Sequence, residues 1–240
     1  METTRRPNIV VSGASKGIGR AIVKRFYEEG FDVAFCARDN KVLNQFKNEL
    51  ESLRDDQKVL AISCDMSDKE AVEWFAEQVA FEFESIDVLV NNAGIFLPGQ
   101  ITNEEEGVFE KVMHTNLFSA YYLTRSLLPY MHAQEHAHIF NMCSTASIMA
   151  YSNGGSYCIS KYALLGMNNV LREELKDENI AVTAILPGAT YTDSWKASEL
   201  PEERFMDAGQ VAEAVWMAYR MSPRSVMEEI LIRPMKGDIK

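Results

Sequence analysis

Residues 8–19 read Asn8-Ile9-Val10-Val11-Ser12-Gly13-Ala14-Ser15-Lys16-Gly17-Ile18-Gly19. The apolar run has the length and composition of a buried strand, and the segment beyond Gly17 has the period of a helix. Between them lie glycines at spacings of four and two. Each has a physical use: a tight turn, close approach of backbone to a pyrophosphate, and close packing of helix on sheet. The start of the helix adds free N–H groups and the positive end of its dipole. A glycine-bearing turn without a ligand is the plainer alternative, and the spacing departs from G-x-G-x-x-G. The strand before and the helix after are the context that a dinucleotide-phosphate loop requires.

Working outward, short apolar runs alternate with helical periods. Strands are predicted at 8–12, 32–36, 59–63, 86–90, 138–143, 181–186 and 226–233. Helices are predicted at 17–29, 40–53, 107–130, 156–178 and 210–221. One more helix is expected after Ser67, which would cap it with Glu70 as capping-box partner. Its apolar residues Val72, Phe75, Val79 and Phe83 recur on one face. Strands buried on both faces and separated by helices imply a parallel sheet covered on each side. The fold class is therefore α/β: a Rossmann-type, doubly wound parallel sheet of about seven strands. No repeat or linker divides the chain, so residues 1–240 read as one domain, with an irregular stretch at about 188–208 as a substrate lid.

The composition sets further bounds. With 240 residues, 47% hydrophobic and 25% charged, the chain is an ordinary globular one. Its net charge of −11 speaks against a nucleic-acid surface. No apolar stretch is long enough to span a membrane, and residues 1–7 lack the apolar core of a signal peptide. A cytoplasmic location is expected, with Cys36, Cys64, Cys143 and Cys158 as reduced thiols. No metal site is expected, since His114 has no ligand spacing around it and His132, His136 and His138 read as a solvated connection.

The end of the second strand bears on the choice of dinucleotide. NAD enzymes tend to place an acid there for the ribose hydroxyls. Here the position holds Ala37, and Arg38 is next. An arginine fork suits a phosphate, and Lys16 adds a second charge, so the 2′-phosphate of NADP is favoured. Asp39 is the counter-argument; it reads as the N-cap of the next helix or as a ribose ligand.

Tyr157 and Lys161 stand at i and i+4, on one face of a helix. An ammonium near a phenol favours the phenolate, and such a pair can exchange protons with a substrate. Ser144 comes directly after an apolar strand, at the end of a parallel sheet where ligands bind.

Taken together, these features resemble the short-chain dehydrogenase/reductase family over nearly the full length. The resemblance rests on Gly13-x-x-x-Gly17-x-Gly19, Asn91-Asn92-Ala93-Gly94, Asn116, Ser144, Tyr157-x-x-x-Lys161 and Pro187-Gly188, in that order. It implies that Tyr157 protonates a carbonyl oxygen as hydride arrives. Lys161 would bind the nicotinamide ribose and lower the pKa of the phenol, Ser144 would orient the carbonyl, and Asn116 would hold a water in a proton relay. Gly13, Ser15, Lys16, Gly17, Ile18, Gly19, Arg38, Asp65, Met66, Asn92, Ala93, Gly94, Pro187, Gly188 and Thr192 would meet NADP(H). Family members commonly pair their long helices between subunits, which implies a homodimer or homotetramer.

Substrate recognition is expected from loops at the strand ends, where Phe96, Met149, Tyr151, Tyr191 and Trp195 would frame a flat, partly apolar carbonyl compound. The stretches 187–195 and 226–239 are similar to bacterial sepiapterin-reductase-like members, which implies a pterin such as sepiapterin, with Asp238 or Asp193 holding its amino group. A 3-oxoacyl thioester reductase, another alcohol dehydrogenase and a non-catalytic NADP-binding sensor are the competing readings.

Overall fold

A computed structural model describes residues 5–132, 136–192, 198–221 and 224–239. Seven parallel strands form a single sheet in the order β3-β2-β1-β4-β5-β6-β7. They are β1 (Asn8–Ser12), β2 (Asp32–Ala37), β3 (Val59–Ser63), β4 (Val88–Asn91), β5 (Ala137–Met142), β6 (Ile180–Pro187) and β7 (Glu229–Ile232). The helices are α1 (Gly17–Glu28), α2 (Asn40–Leu53), α3 (Lys69–Phe83), α4 (Val108–Met113), α5 (Ser119–Met131), α6 (Gly155–Leu175) and α7 (Ala208–Tyr219).

The period of two along each strand builds two apolar layers. Ile9, Val11, Val33 and Phe35 point to one face, where Phe26 of α1, Phe46 of α2 and Trp216 of α7 cover them. Val10, Ala34 and Leu89 point to the other, against Phe75 of α3, Leu127 of α5 and Leu175 of α6. Each fully buried side chain of this size contributes roughly 1.5–3 kcal/mol. Strand order reverses beside β1, whose neighbours are β2 on one side and β4 on the other. In such sheets that point opens a crevice at the carboxyl ends of the strands.

Three local features differ from the sequence expectations. Asp68, not Ser67, caps α3, accepting from the Ala71 N–H at 3.2 Å; Ser67 instead bonds back to Asp65. The helix expected at 107–130 is broken by a π-helical turn at His114–Phe118. The last strand begins at Glu229 rather than at 226. Asp39 is an N-cap, accepting from Lys41 and Val42 at 2.9 and 3.1 Å. Across the expected lid, Thr190 bridges to Met206, while residues 193–197, including Asp193 and Trp195, lie outside the described residues. Among the described residues no helix is long and apolar enough to cross a membrane.

Candidate active site

The glycine loop sits between β1 and α1, and its backbone is fixed from two sides. The Ala14 N–H donates to Cys36 O at 3.0 Å. The Asn92 side-chain amide donates to the carbonyls of Ser12 and Gly13 at 2.9 and 2.8 Å. The N–H groups of Asn92 and Ala93 return to the Ser12 hydroxyl, each at 3.0 Å. Asn92 therefore shapes the loop, its amide hydrogens already engaged.

Gly13 adopts φ +69°, and a Cβ there would lie 2.8 Å from the Cα of Ala93. A Cβ at Gly17 would lie 3.1 Å from the Thr192 methyl, so Thr192 faces the loop across a narrow gap. The start of α1 has neither a side-chain cap nor an acid in its first turn. Its amides are thus available to an anion. Ser15 is half-buried and Lys16 exposed beside this end, while Ile18 packs on the core.

At the tip of β2, Ala37 is buried and Arg38 exposed. Asp65 lies close by: bonds from Ser67 hold its carboxyl below the usual range, and Arg38 adds to the effect. Met66 turns its sulfur inward, 3.4 Å from Cys36 Sγ and 3.7 Å from Cys64 Sγ. Its side chain belongs to the core. All four cysteines are buried free thiols. The uncapped helix start, the glycine cradle and a neutral strand end followed by arginine fit a phosphorylated dinucleotide.

The groups expected to handle the proton meet at the ends of β4 and β5. Ser144, at the exit of β5, caps a short 3₁₀ turn by accepting from the Ala146 N–H at 3.1 Å. Its hydroxyl also lies near enough to the Tyr157 phenol to favour the phenolate. Lys161, 4% exposed, donates to the Met142 carbonyl at 2.7 Å. Its nitrogen lies 5.8 Å from the centre of the Tyr157 ring. Burial pushes the Lys161 ammonium down to about 8, with Cys143 opposing. Burial also raises the Tyr157 phenol above its ordinary value, with the nearby Ser144 hydroxyl opposing. The expected lowering of that phenol by Lys161 is absent from this arrangement, in which desolvation wins.

Asn116 lies in the π-helical turn, a feature frequent at functional sites. Its Oδ1 accepts from the Ile95 N–H at 2.7 Å, and its Nδ2 donates to Ile95 O and Ser160 Oγ, both at 3.0 Å. A side chain at Gly94 would meet Asn116 Oδ1 at 3.4 Å and Lys161 Nζ at 3.5 Å. Glycine there keeps the space where those two groups converge.

Trp195 lies outside the described residues, and the other four expected substrate residues come from three separate loops. Phe96 stands edge-on to the Tyr157 ring, 5.0 Å between centres. Tyr191 packs on Phe205 at 5.7 Å. Met149 is exposed. Tyr151 lines a cavity of about 560 Å³ with Ile101, Cys158, Ile159 and Tyr162, and Tyr157 is near enough to help raise its phenol. Pro187 ends β6, and the Gly188 N–H donates to Ile232 O at 2.7 Å. The tail folds back here: Arg204 binds the carbonyls of Gly237 and Asp238, each at 2.9 Å. A Cβ at Gly188 would lie 3.5 Å from Asp238 Oδ1.

The sequence reading passes over Glu104, whose carboxylate bonds to Ser156 at the start of α6. The signal was indirect: α6 begins at Gly154-Gly155 with no capping side chain of its own.

Among the described residues no group of three or more His, Cys, Asp or Glu is placed to hold a metal ion. The family model for short chain dehydrogenase matches residues 7–203. A sepiapterin reductase from Chlorobaculum tepidum is 32% identical over 238 residues, 97% of this chain and 98% of its own length. A 3alpha-hydroxysteroid dehydrogenase from Mediterraneibacter gnavus is 33% identical over 80% of this chain and 76% of its own. Among solved structures, a metagenomic short-chain oxidoreductase in complex with NADP is 28% identical, with a TM-score of 0.83 over 95% of this chain and 97% of its own. L-Sorbose reductase from Gluconobacter frateurii, complexed with NADPH and L-sorbose, is 25% identical with a TM-score of 0.86, covering 96% of each chain. A glycine-cradled helix start and a Ser–Tyr–Lys group at the strand ends, joined to a family match over most of the length, make this chain a member of the short-chain dehydrogenase family, with the family's oxidoreductase architecture.

Proposed function

We propose that this chain reduces a small carbonyl compound at the expense of NADPH, with Tyr157 as proton donor. The observation that carries the reading is the convergence of the Ser144 hydroxyl and the Tyr157 phenol beside a buried ammonium. When bound, NADPH supplies the hydride. Ser144 donates its hydroxyl hydrogen to the carbonyl oxygen, which orients and polarises it. Tyr157, whose phenol stays protonated well above neutral pH, gives its proton to the carbonyl oxygen. Lys161 holds positive charge beneath the ring and binds the nicotinamide ribose, and Asn116 orders the relay that restores the proton. Preference for NADPH over NADH rests on Ala37 and Arg38, and the NADP and NADPH complexes of the structural relatives support it.

A pterin such as sepiapterin is the first substrate in this reading. Full-length similarity to the Chlorobaculum tepidum sepiapterin reductase supports it. So does the position of Asp238 beside Gly188, where a carboxylate could receive an amino group, although Arg233 stands 3.4 Å from its other oxygen. Phe96 supplies an aromatic edge at Tyr157. Exposed Phe109, Tyr121, Tyr162 and Val170 on α4, α5 and α6 support a homodimer or homotetramer, and the four free thiols suit a reducing cytoplasm.

The test monitors NADPH absorbance with the purified chain and a panel of carbonyls. Turnover of sepiapterin without turnover of an acetoacetyl thioester is the expected result. The reverse pattern would make the chain a thioester reductase. NADPH binding with no turnover across the panel would make it a sensor.

A further inference from the structure

Helix α6 carries both Tyr157 and Lys161, yet its first turn has no cap from its own flank. The partner comes from the loop after β4. Glu104 Oε1 accepts from the Ser156 backbone N–H at 2.8 Å, and Glu104 Oε2 accepts from the Ser156 hydroxyl. Ser156 is 1% exposed, so water cannot readily replace these bonds. A carboxylate here also meets the positive end of the helix dipole.

Two glycines make room for that carboxylate. A Cβ at Gly155 would overlap Glu104 Oε1, and one at Gly99 would lie 2.8 Å from Glu104 Cγ. The same loop is pinned to the approach of α6. The Gly99 N–H donates to Asn153 O at 3.0 Å, and Gln100 Nε2 to Asn153 Oδ1 at 3.1 Å. At its other end the loop carries Phe96, edge-on to the Tyr157 ring. One loop therefore reaches Tyr157 through its ring and holds the residue just before it.

We propose that Glu104 is a positioning residue for the proton donor: by holding Ser156 it sets where the Tyr157 phenol lies against Ser144, and it ties that placement to the loop bearing Phe96. The inference rests on Tyr157 being the donor. It makes a carboxylate 53 positions upstream of Tyr157 part of the catalytic geometry without contact to the reacting atoms.

The test compares Glu104→Ala, Glu104→Gln and Tyr157→Phe in the full chain, with NADPH and sepiapterin as the assay pair. A second measurement needs no substrate: the phenol of Tyr157 is titrated by NMR in protein labelled at the tyrosine ring carbon bearing oxygen, the resonance being assigned with Tyr157→Phe. In Glu104→Ala, kcat should fall roughly 10- to 100-fold, the scale of a small misplacement of a reacting group, with KM little changed. Its Tyr157 phenol should titrate lower than in the wild type, because a loosened turn admits water to a group held up by burial. Glu104→Gln, which can still accept from the amide and can donate to the hydroxyl, should recover most of kcat and the wild-type titration. An unshifted phenol in Glu104→Ala overturns the proposal, as does equal impairment of both Glu104 variants in step with their melting temperatures. The two failures are separable. Full activity in Tyr157→Phe sinks the donor assignment itself. An inactive Tyr157→Phe beside a fully active Glu104→Ala with an unshifted phenol sinks only the role of Glu104.

Discussion

Lys161 donates to the carbonyl of Met142 across 2.7 Å, and this bond tethers the helix bearing Tyr157 to the strand whose exit bears Ser144. The ammonium nitrogen lies 5.8 Å from the centre of the Tyr157 ring. It holds two elements at the spacing that brings the Ser144 hydroxyl beside the Tyr157 phenol. Removal of any one of the three groups should therefore affect the other two.

Tyr157→Phe removes one oxygen and leaves the packing against Phe96. If the phenol is the proton donor, kcat should drop roughly 100- to 10,000-fold, the usual worth of a positioned acid. NADPH affinity should stay within several-fold, because the glycine loop and α1 are untouched. Single-turnover kinetics with a cofactor titration checks both. A variant that retains near-normal turnover would show that another group delivers the proton.

Arg38→Ala addresses cofactor choice. The guanidinium sits exposed at the tip of β2, next to a buried Ala37 that offers no acid to a ribose. Loss of a charge-assisted pair with a phosphate should weaken NADPH about 10- to 100-fold. NADH, lacking that phosphate, should bind nearly as before. Fluorescence titrations of the two cofactors measure the difference, and equal losses would remove Arg38 from the phosphate site.

Much of the fold is legible in the sequence. The buried strands announce themselves because residues such as Ile9-Val10-Val11 satisfy both faces of the sheet, and Asp39 is readable as a cap because capping is local. The π-helical turn holding Asn116 is not legible. One extra residue in a helical turn barely disturbs an apolar period that real helices obey only loosely. The Ser67 expectation fails for a related reason: adjacent Asp68 competes for the same amides, and spacing alone does not choose between them. Glu104 lies beyond local reading altogether, since it caps a helix that starts about fifty residues later, through contacts that exist only once β4 and β5 are paired. Trp195 and Asp193 fall outside the described residues.

Gly19→Ala should separate the glycine loop from the general fold. The added methyl would overlap Asn92 Nδ2 and lie 2.6 Å from the Gly13 carbonyl oxygen. A backbone oxygen cannot step aside, so the loop must move. Overpacking of this kind costs about 1–3 kcal/mol, enough to lower the melting temperature without unfolding the chain. NADPH affinity should fall much further than the stability does, because the displaced backbone is the surface the pyrophosphate would meet. Thermal melts with and without NADPH test this; a normal cofactor-induced rise in melting temperature would contradict it.

Lys161 offers a prediction in which activity and stability move oppositely with pH. Burial lowers its ammonium from 10.5 to about 8, so the folded chain gives up this proton before the unfolded chain does. Below pH 8 both states hold the proton, and the cost of burying the charge is fully present. Between about 8 and 10.5 the unfolded state binds more protons, so this group's contribution to stability improves as pH rises. Lys161→Met has no such titration. Any advantage in melting temperature of Lys161→Met over the wild type should be greatest below pH 8 and shrink towards pH 10. Carbonyl reduction should run the other way, falling above about pH 8 as the ammonium disappears, while the Tyr157 phenol, raised by burial, still carries its proton. A pH–rate profile flat to pH 10, or a melting difference independent of pH, would place the titrating group elsewhere.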